Sequence, residues 1–202
     1  SQSFLSLAIS EEGEIIVLTS SGDLIKINSY SGEIYWSLNI TGSMSTLETD
    51  FFKFSEIVIG GDDLIFSGSS SFFSFNILNG YLNWQQDIYT RNSPIIDGNN
   101  IFLITNNGYF VNLNRNNGKI MWSNNILKIL KKKKQNTVIS GFIMGSGKIY
   151  AVTLNGYLIV SSASSGKIEF FKKIKDSIFT SPIISNGSLY ILTEKPRIFG
   201  FN

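Results

Sequence analysis

Side chains that could act as acids, bases, nucleophiles or metal ligands are sparse and scattered in this sequence. Its 202 residues include neither His nor Cys, so the commonest general base, the commonest metal ligand and the thiolate nucleophile are all missing. The 15 carboxylates stand at predicted turns, as in Glu11-Glu12, Asp62-Asp63 and Asp97, and the serines have no His partner for a hydrolytic triad. The sequence therefore predicts a protein that is not an enzyme, with no catalytic residue, no cofactor and no metal site.

The strongest local charge feature is a group of lysines that begins at Lys128 and continues through Lys131, Lys132, Lys133 and Lys134. They could attract an acidic protein surface, or anionic lipid headgroups, near which each lysine contributes up to about 1 kcal/mol. Ile129 and Leu130, beside them, would suit such a contact. The alternative is a solvated loop without a partner. The net charge of the whole chain, +2, is too small to predict a nucleic-acid partner.

A second candidate for binding is the stretch Thr41–Asp50, which is rich in Ser and Thr. Met44, Leu47 and Glu48 lie in it, without the periodic apolar neighbours that would place them in a core. Exposed apolar residues on a loop can mark a protein interface. We therefore take these three residues as candidate interface residues; the alternative is that they make no functional contact.

The elements that would position these residues are indicated by a signature that recurs four times, a glycine followed four residues later by an aromatic residue. Its copies are Gly32 with Trp36, Gly80 with Trp84, Gly118 with Trp122, and Gly166 with Phe170. The aromatic residues are 48, 38 and 48 positions apart, which is within the length range of propeller blades. Because the slot recurs in every complete unit, we predict that these aromatics fill gaps between adjacent blades and bind no ligand.

Each repeat is predicted to hold four short strands, A to D in chain order, joined by turns such as Asn107-Gly108 and Asn117-Gly118. No helical periodicity interrupts the pattern. The predicted fold class is all-β, a β-propeller of four-stranded antiparallel blades. Within a single propeller over 1–202, the approximate blades are 3–40, 51–88, 91–127, 137–175 and 178–202, the last without its outer strand.

The way in which the repeats end bears on the rest of the ring. The fifth repeat stops in strand C, so the chain holds about 4.75 blades. An arc of that kind leaves exposed strand edges that invite pairing, including self-association. We predict the C-terminal part of a ring of seven or eight blades; a five-bladed ring, or closure through another copy of the chain, is the alternative.

Two insertions distinguish individual repeats and point to one working face. Thr41–Asp50 and the lysine-bearing stretch 127–136 both follow a strand D and precede the next strand A. Both are therefore predicted to emerge on the same rim, and longer loops are where a scaffold usually carries function. No window reaches the roughly 18 consecutive apolar residues of a membrane span. The start, Ser1–Phe4, has no Met and no signal-peptide pattern, and we expect the chain to be a portion of a longer protein.

The repeat resembles a known family. Residues 107–122 read Asn-Gly-Tyr-Phe-Val-Asn-Leu-Asn-x-x-x-Gly-Lys-Ile-Met-Trp, which is similar to the repeat of pyrroloquinoline-quinone-type propellers. Within that superfamily the chain most resembles the BamB family of outer-membrane β-barrel assembly lipoproteins. The stretches that carry this likeness are Val58–Asp62, Asn83–Ile88, Ser181–Ile184 and Tyr190–Thr193, with the ending at Phe201-Asn202.

The BamB resemblance implies a non-enzymatic protein-docking scaffold that assists assembly and insertion of β-barrel proteins into the outer membrane of a Gram-negative bacterium. It implies one protein partner, the barrel-inserting subunit of the assembly complex, contacted by a loop that follows a strand D. Thr41–Asp50 is the matching loop here, with Met44, Leu47 and Glu48 as the contacts. The implied location is the periplasm, associated with the outer membrane only through a lipid anchor outside this chain. A quinoprotein-dehydrogenase-like oxidoreductase fragment and a propeller that binds a polysaccharide or small ligand are the alternatives.

Overall fold

Antiparallel strands make up almost all of the regular structure in the described part of this chain. The structure is a computed structural model that describes residues 5–40, 55–68, 70–134, 137–174 and 176–201, with backbone only for residues 131–134. Nineteen strands, β1 to β19, lie in these ranges together with one 3-10 segment, Ile126–Lys134. The predicted all-β class with four-stranded antiparallel sheets is confirmed.

The strands form four four-stranded sheets and one three-stranded sheet, each with its strands in chain order. The first sheet contains β1 (Leu5–Ile9), β2 (Ile15–Thr19), β3 (Asp23–Ile27) and β4 (Ile34–Asn39). The second contains β5 (Val58–Gly60), β6 (Asp63–Ser67), β7 (Phe72–Asn76) and β8 (Leu82–Gln86). The third contains β9 (Ile95–Asp97), β10 (Asn100–Ile104), β11 (Tyr109–Asn114) and β12 (Ile120–Asn125). The fourth contains β13 (Ile139–Gly145), β14 (Lys148–Thr153), β15 (Tyr157–Ser162) and β16 (Ile168–Lys173), and the fifth β17 (Ile183–Ser185), β18 (Ser188–Leu192) and β19 (Ile198–Phe201).

In three of the sheets, the turn between the second and third strands is built by a threonine and a glycine. In the first sheet, Gly22 N–H donates to Thr19 O at 2.9 Å, and Asp23 N–H donates to the Thr19 hydroxyl at 3.0 Å. The same pair of bonds recurs at Thr105 and at Thr153. The hydroxyl thus satisfies the first amide of the returning strand, which would otherwise lack a partner. At Thr19, Thr105 and Thr153, this bond gives the hydroxyl residue after the second strand a structural role.

The turn between the third and fourth strand extends over more residues than the Asn-Gly or Ser-Gly pair that marks it in the sequence. It runs from an Asn or Ser to the signature glycine, as in Asn28 to Gly32, where Gly32 N–H donates to Asn28 O at 3.0 Å. The Asn28 side chain also accepts from the amides of Tyr30 and Ser31. Gly32 has a positive φ of 73°, which favours glycine. The Ser31-Gly32 pair is therefore the end of a longer turn.

A β-bulge directly precedes the signature aromatic residue in the fourth strand of each four-stranded sheet. In the first sheet, Lys26 pairs with Trp36 while the next residue, Ile27, pairs with Ile34, so Tyr35 is the extra residue. The register shifts at the same place in the other three sheets. A bulge changes which face the following side chain occupies. It therefore sets the face on which the aromatic residue lies.

The chain divides into two compact units, residues 1–99 with 115–118, and residues 100–114 with 119–202. Among the described residues, the core of the first unit includes ten buried apolar side chains; Ile16, Leu18, Leu64 and Phe66 are four of them, and each is 0% exposed. The second unit has a core that includes Val152, Leu158, Ile178 and Ile191. Each core joins residues of successive sheets, as expected for repeats that cannot bury their faces alone.

The 3-10 segment Ile126–Lys134 is a feature that the sequence analysis did not predict. Its apolar residues Ile126, Leu127 and Leu130 are at most 5% exposed, so they fix the segment on the second unit. The expectation that Leu130 would be available for a partner is wrong, because its side chain is already buried in the protein. Only Ile129 is partly exposed on the apolar side.

Candidate functional site

One end of each four-stranded sheet carries both the turn between its second and third strands and the exit of its fourth strand; we call this the connector end. In the first sheet, Ile40 N–H donates to Gly22 O at 2.9 Å just after β4. In the second unit, Ile126 N–H donates to Gly108 O at 2.9 Å and Ile174 N–H donates to Gly156 O at 2.7 Å. The inter-repeat connections therefore begin from a fixed position beside a tight turn.

The stretch with the candidate interface residues leaves from the connector end of the first sheet. Met44, Leu47 and Glu48 themselves lie outside the described residues. Their flanks are well held: Ile40 is bonded to Gly22, and Ser55 N–H donates to Ser67 O at 2.8 Å at the end of β6. The Ser55 hydroxyl in turn accepts from Ser67 N–H at 2.9 Å. The connection is thus anchored at both sides to backbone of the first unit.

A hydrogen-bonded carboxylate lies beside the point where this connection begins. Asp23 accepts from the Ser21 hydroxyl at 2.6 Å, from the Asn39 amide at 2.7 Å and from the Thr19 hydroxyl at 3.2 Å. The Ser21 bond, followed by the Asn39 bond, lowers the pKa of Asp23 from its ordinary value. Because that pKa is lowered, the stabilisation from these bonds is present above the ordinary carboxyl pKa and is lost as the pH falls through the lowered one.

The lysine-bearing segment leaves from the connector end of the third sheet, in the second unit. Asn125 caps its start, since the side-chain oxygen of Asn125 accepts from Lys128 N–H at 3.1 Å. Lys128 is exposed, and the backbone of Lys131, Lys132, Lys133 and Lys134 continues the 3-10 segment. Beside the segment is an open cavity of about 410 Å³, lined by Asn106, Asn107, Tyr109, Asn125, Leu127, Thr137 and Val138.

In the first unit, the signature tryptophans contact the turn of the following sheet. Trp36 donates from Nε1 to Ile77 O at 3.0 Å, and a Cβ on Gly80 would lie 3.0 Å from Cε3 of Trp36. Trp84 donates to Arg115 O at 2.7 Å, and a Cβ on Gly118 would lie 2.6 Å from Cε3 of Trp84. Each of these indoles therefore covers a signature glycine and satisfies a backbone carbonyl three residues before it.

In the second unit, Trp122 lies against Gly166 so closely that a Cβ there would clash with its ring. Its neighbour Asn124 donates to Ser165 O at 2.8 Å, a bond to the same turn. Phe170 differs, because half of its side chain is exposed and the fifth repeat has no Gly-x-x-x-aromatic turn to receive it. The contacts of Trp36, Trp84 and Trp122 leave little of these rings for a ligand.

Arg115 is a structural residue that sequence reasoning missed. The guanidinium of Arg115 donates from Nε to Asp63 at 2.6 Å and from Nη2 to Gly60 O. The backbone carbonyl of Arg115 accepts from Nε1 of Trp84. Gly60 must be small here, since a Cβ would lie 2.8 Å from Cδ1 of Ile96. The two glycines in the stretch Val58–Asp62 were the available signal. The sequence alone did not show that they make room for the side chain of Arg115, which is 55 positions from Gly60.

The described residues contain no grouping of three or more carboxylates that could hold a metal ion. In the same part of the chain, no helix is long and apolar enough to cross a membrane. The geometry on hand is thus that of hydrogen-bonded turns, fixed connections and one open cavity.

Comparison with known proteins identifies the family. A family model described as "Outer membrane protein assembly factor BamB" matches residues 2–124, more than half of the chain. The chain belongs to the BamB family. The BamB-family resemblance predicted from the sequence is therefore confirmed.

Individual relatives of this BamB-family chain support the same fold. BamB of Escherichia coli (strain K12) is 23% identical over 191 residues, which are 93% of this chain and 47% of that protein. The crystal structure of BamB from Moraxella catarrhalis matches with a TM-score of 0.74 at 18% identity, over 98% of this chain and 60% of that one. The β-propeller domain of Cps50 (Swd1) from Myceliophteria thermophila matches with a TM-score of 0.69 at 10% identity, over 97% of this chain and 63% of that one.

These comparisons confirm the predicted β-propeller class. The chain spans about half the length of the curated relatives it matches. The number of blades in the ring, the blade boundaries and the way the ring closes stay predictions. The candidate interface residues Met44, Leu47 and Glu48 also stay predictions, since all three lie outside the described residues.

Proposed function

We propose that this BamB-family chain is a non-enzymatic docking scaffold that assists assembly of β-barrel proteins into the outer membrane. The observation that carries the proposal is the family match over residues 2–124, which includes the whole stretch Thr41–Asp50. The partner is the barrel-inserting subunit of the assembly complex, and the contact is made through Met44, Leu47 and Glu48. The protein acts in the periplasm, held at the outer membrane by a lipid anchor outside this chain.

The anchoring of the connection supports this role. The bonds of Ile40 and Ser55 to backbone at the connector end hold both flanks of the stretch in place. A binding segment whose ends are already fixed loses less conformational entropy when a partner immobilises it. The scaffold therefore contributes geometry, and the side chains of the connection contribute the contact.

The test is capture of the partner from solubilised membranes. We expect the full-length protein to retain the barrel-inserting subunit, and the triple variant Met44→Ala, Leu47→Ala and Glu48→Ala to lose at least about tenfold of it, since interface anchors contribute about 2 kcal/mol or more each. Tyr30→Ala is the matched control, because Tyr30 is 96% exposed and lies in the turn at the other end of the first sheet. Undiminished capture by the triple variant would show that this stretch is not the interface, and bound quinone or calcium would favour an oxidoreductase.

Self-association through an open strand edge is a further part of the proposal. β1 is an edge strand of the first sheet, and its side chains Leu5, Leu7 and Ile9 are 56%, 61% and 72% exposed. An exposed apolar edge strand is a template for pairing with another chain.

We expect residues 1–202 to associate in a concentration-dependent way in light scattering, and Leu7→Lys with Ile9→Lys to shift the population toward monomer. Charges on an edge strand oppose pairing. Tyr30→Lys adds the same kind of charge away from the edge and should leave association unchanged. A monomer at every concentration, or equal effects of the edge and control variants, would count against this part of the proposal.

A further inference from the structure

One face of the first sheet is apolar and open, although the corresponding face of the second sheet is buried. Side chains directly opposite each other on paired strands share a face, so Leu7, Val17 and Ile25 lie on the same face of the first sheet. Leu7 is exposed, and Val17 and Ile25 are partly exposed. In the second sheet, Phe66 and Phe73 occupy the positions of Val17 and Ile25 and are buried. The first sheet therefore has the residues of a sheet that is covered on both faces.

The signature turn of the same sheet is open as well. In the next three sheets, the turn glycine lies under the ring of a tryptophan so closely that a Cβ would clash with it. A Cβ on Gly32 would meet no atom within 4 Å, although Gly32 and Gly80 have the same φ of 73°. The carbonyl of Ile77, three residues before Gly80, accepts from an indole, and its counterpart in the first sheet is the carbonyl of Ser29. Turn 28–32 therefore has the backbone of a turn that a tryptophan covers, and no described residue covers it.

We propose that this open face and turn 28–32 bind a further four-stranded repeat, one that precedes the first repeat in the full-length protein. The signature tryptophan of that repeat covers Gly32 and donates from Nε1 to Ser29 O. In all three contacts within the chain, the tryptophan comes from the repeat before the one that it covers, which gives the direction. The chain spans about half the length of the curated relatives it matches, so proteins of this family have the length for such a repeat.

The open face specifies an apolar partner surface. Its side chains include Leu7, Ile9, Ile15, Val17, Ile25 and Ile27. Removal of such a surface from water is favourable, and a contiguous exposed apolar patch marks an interaction site. The opposite face of the first sheet shows what fits, since its apolar side chains pack against those of the second sheet in one core. A repeat of the same type can offer the same kind of face.

A second copy of this chain is the less suitable occupant. The chain has three tryptophans, and each of them already lies on a turn glycine of its own chain. Phe170, the fourth signature aromatic, is half exposed, but a phenyl ring has no N–H to donate to Ser29 O. A repeat from outside residues 1–202 is therefore needed to offer both an apolar sheet face and a free indole.

Thiol labelling of the full-length protein measures whether the face is covered. Residues 1–202 contain no Cys, so a thiol introduced there reports on its own position, and peptide mass spectrometry separates it from any other. Leu7 and Leu78 are matched positions, because they are 61% and 63% exposed and Leu78 lies in a turn that Trp36 already covers. We expect the thiol of Leu7→Cys to react with a maleimide at least about tenfold more slowly than that of Leu78→Cys, because a covered site reacts only through local opening.

Two glycine variants of the full-length protein test the contact at the turn. Gly32 and Gly13 both have positive φ, 73° and 82°, and in residues 1–202 a Cβ at either meets no atom within 4 Å. Gly13 is the control, since the glycines of the corresponding turn also lack such contacts in later sheets, at Gly98, Gly147 and Gly187. We expect Gly32→Ala to lower the melting temperature of the full-length protein clearly more than Gly13→Ala, because a ring has to be displaced. In residues 1–202 alone the turn stays open, and Gly32→Ala has no ring to displace.

The outcomes separate the possible occupants. Equal reaction rates at positions 7 and 78, with unchanged melting temperatures of both Cys variants, would overturn the proposal, because the face would then be open. Protection of position 7 that disappears on dilution would also overturn it, because a second copy would then cover the face. Equal losses for Gly32→Ala and Gly13→Ala would exclude the tryptophan contact. Protection at every concentration, with the larger loss for Gly32→Ala, supports the proposal, which does not depend on the docking function of Thr41–Asp50.

Discussion

Replacement of Trp84 with alanine is expected to lower the free energy of unfolding by about 3–5 kcal/mol, as for other large aromatic residues removed from a core. Trp84 is 8% exposed, its ring lies over Gly118, and its Nε1 donates to Arg115 O at 2.7 Å. The alanine variant leaves a cavity beside Phe72 and over the turn at Gly118, and it removes the indole donor to that carbonyl. Among the described aromatic residues, Trp84 combines burial with a side-chain hydrogen bond to a backbone carbonyl 31 positions away.

Urea denaturation followed by tryptophan fluorescence and circular dichroism measures this change. Trp84→Phe separates the two contributions, because it keeps most of the apolar area and loses the hydrogen bond, and we expect it to cost about 1–2 kcal/mol. Tyr30→Ala, at a residue that is 96% exposed, should stay within about 0.5 kcal/mol of the parent. A loss below about 1 kcal/mol for Trp84→Ala would contradict the role given to this side chain.

The second large effect is expected at a signature glycine. Gly32 and Gly118 occupy the same place in the repeat and have nearly the same backbone, with φ of 73° and 68°. A Cβ at Gly32 meets no atom within 4 Å, whereas a Cβ at Gly118 would lie 2.6 Å from the Trp84 ring. Both Ala variants pay for the left-handed backbone, about 1–2 kcal/mol, but only Gly118→Ala also has to displace the ring, which adds about 1–3 kcal/mol.

The difference between the two glycine variants isolates the contact between successive sheets. Thermal and urea unfolding of Gly118→Ala and Gly32→Ala, measured side by side, should rank Gly118→Ala as clearly less stable. Equal losses in the two variants would mean that the turn geometry alone requires glycine. In that case the tryptophan does not seal the signature turn of the next sheet.

Much of the fold could be predicted from local patterns in the sequence. Alternating apolar residues between Gly-containing turns predicted short strands, and the structure has such strands, for example Asp63–Ser67 and Tyr109–Asn114. The aromatic signature indicated stacked repeats because its slot recurs at a nearly constant interval. These features depend on residues close together in the chain, so local chemistry is sufficient to predict them.

What the sequence did not show depends on contacts between distant residues or on small changes of register. No particular residue type in the sequence marks the bulge at Tyr35. The bulge arises because Lys26 pairs with Trp36 while Ile27 pairs with Ile34. Arg115 looks like an ordinary turn residue until its bonds to Asp63 and Gly60 are seen. The 3-10 segment Ile126–Lys134 is too short and irregular for a helical period, and its apolar residues find their partners on the sheets.

The candidate site was predicted only in part for related reasons. The sequence could place Thr41–Asp50 after a fourth strand, and the structure shows how Ile40 and Ser55 anchor its flanks. The sequence showed the lysines after Lys128, but it did not show that their segment borders a cavity lined by three asparagines. A binding surface assembled from separate turns carries no contiguous signal, whereas a loop insertion does.

The central claim, that the stretch between β4 and β5 is the docking site for the barrel-inserting subunit, is tested most directly by site-specific photo-crosslinking in intact cells. A photoreactive residue is placed at Leu47 in one strain and, as a control, at Tyr30 in another, since Tyr30 is exposed at the other end of the first sheet. We predict an adduct with the barrel-inserting subunit from position 47 and none from position 30. An adduct from position 30 with none from position 47 would contradict the account.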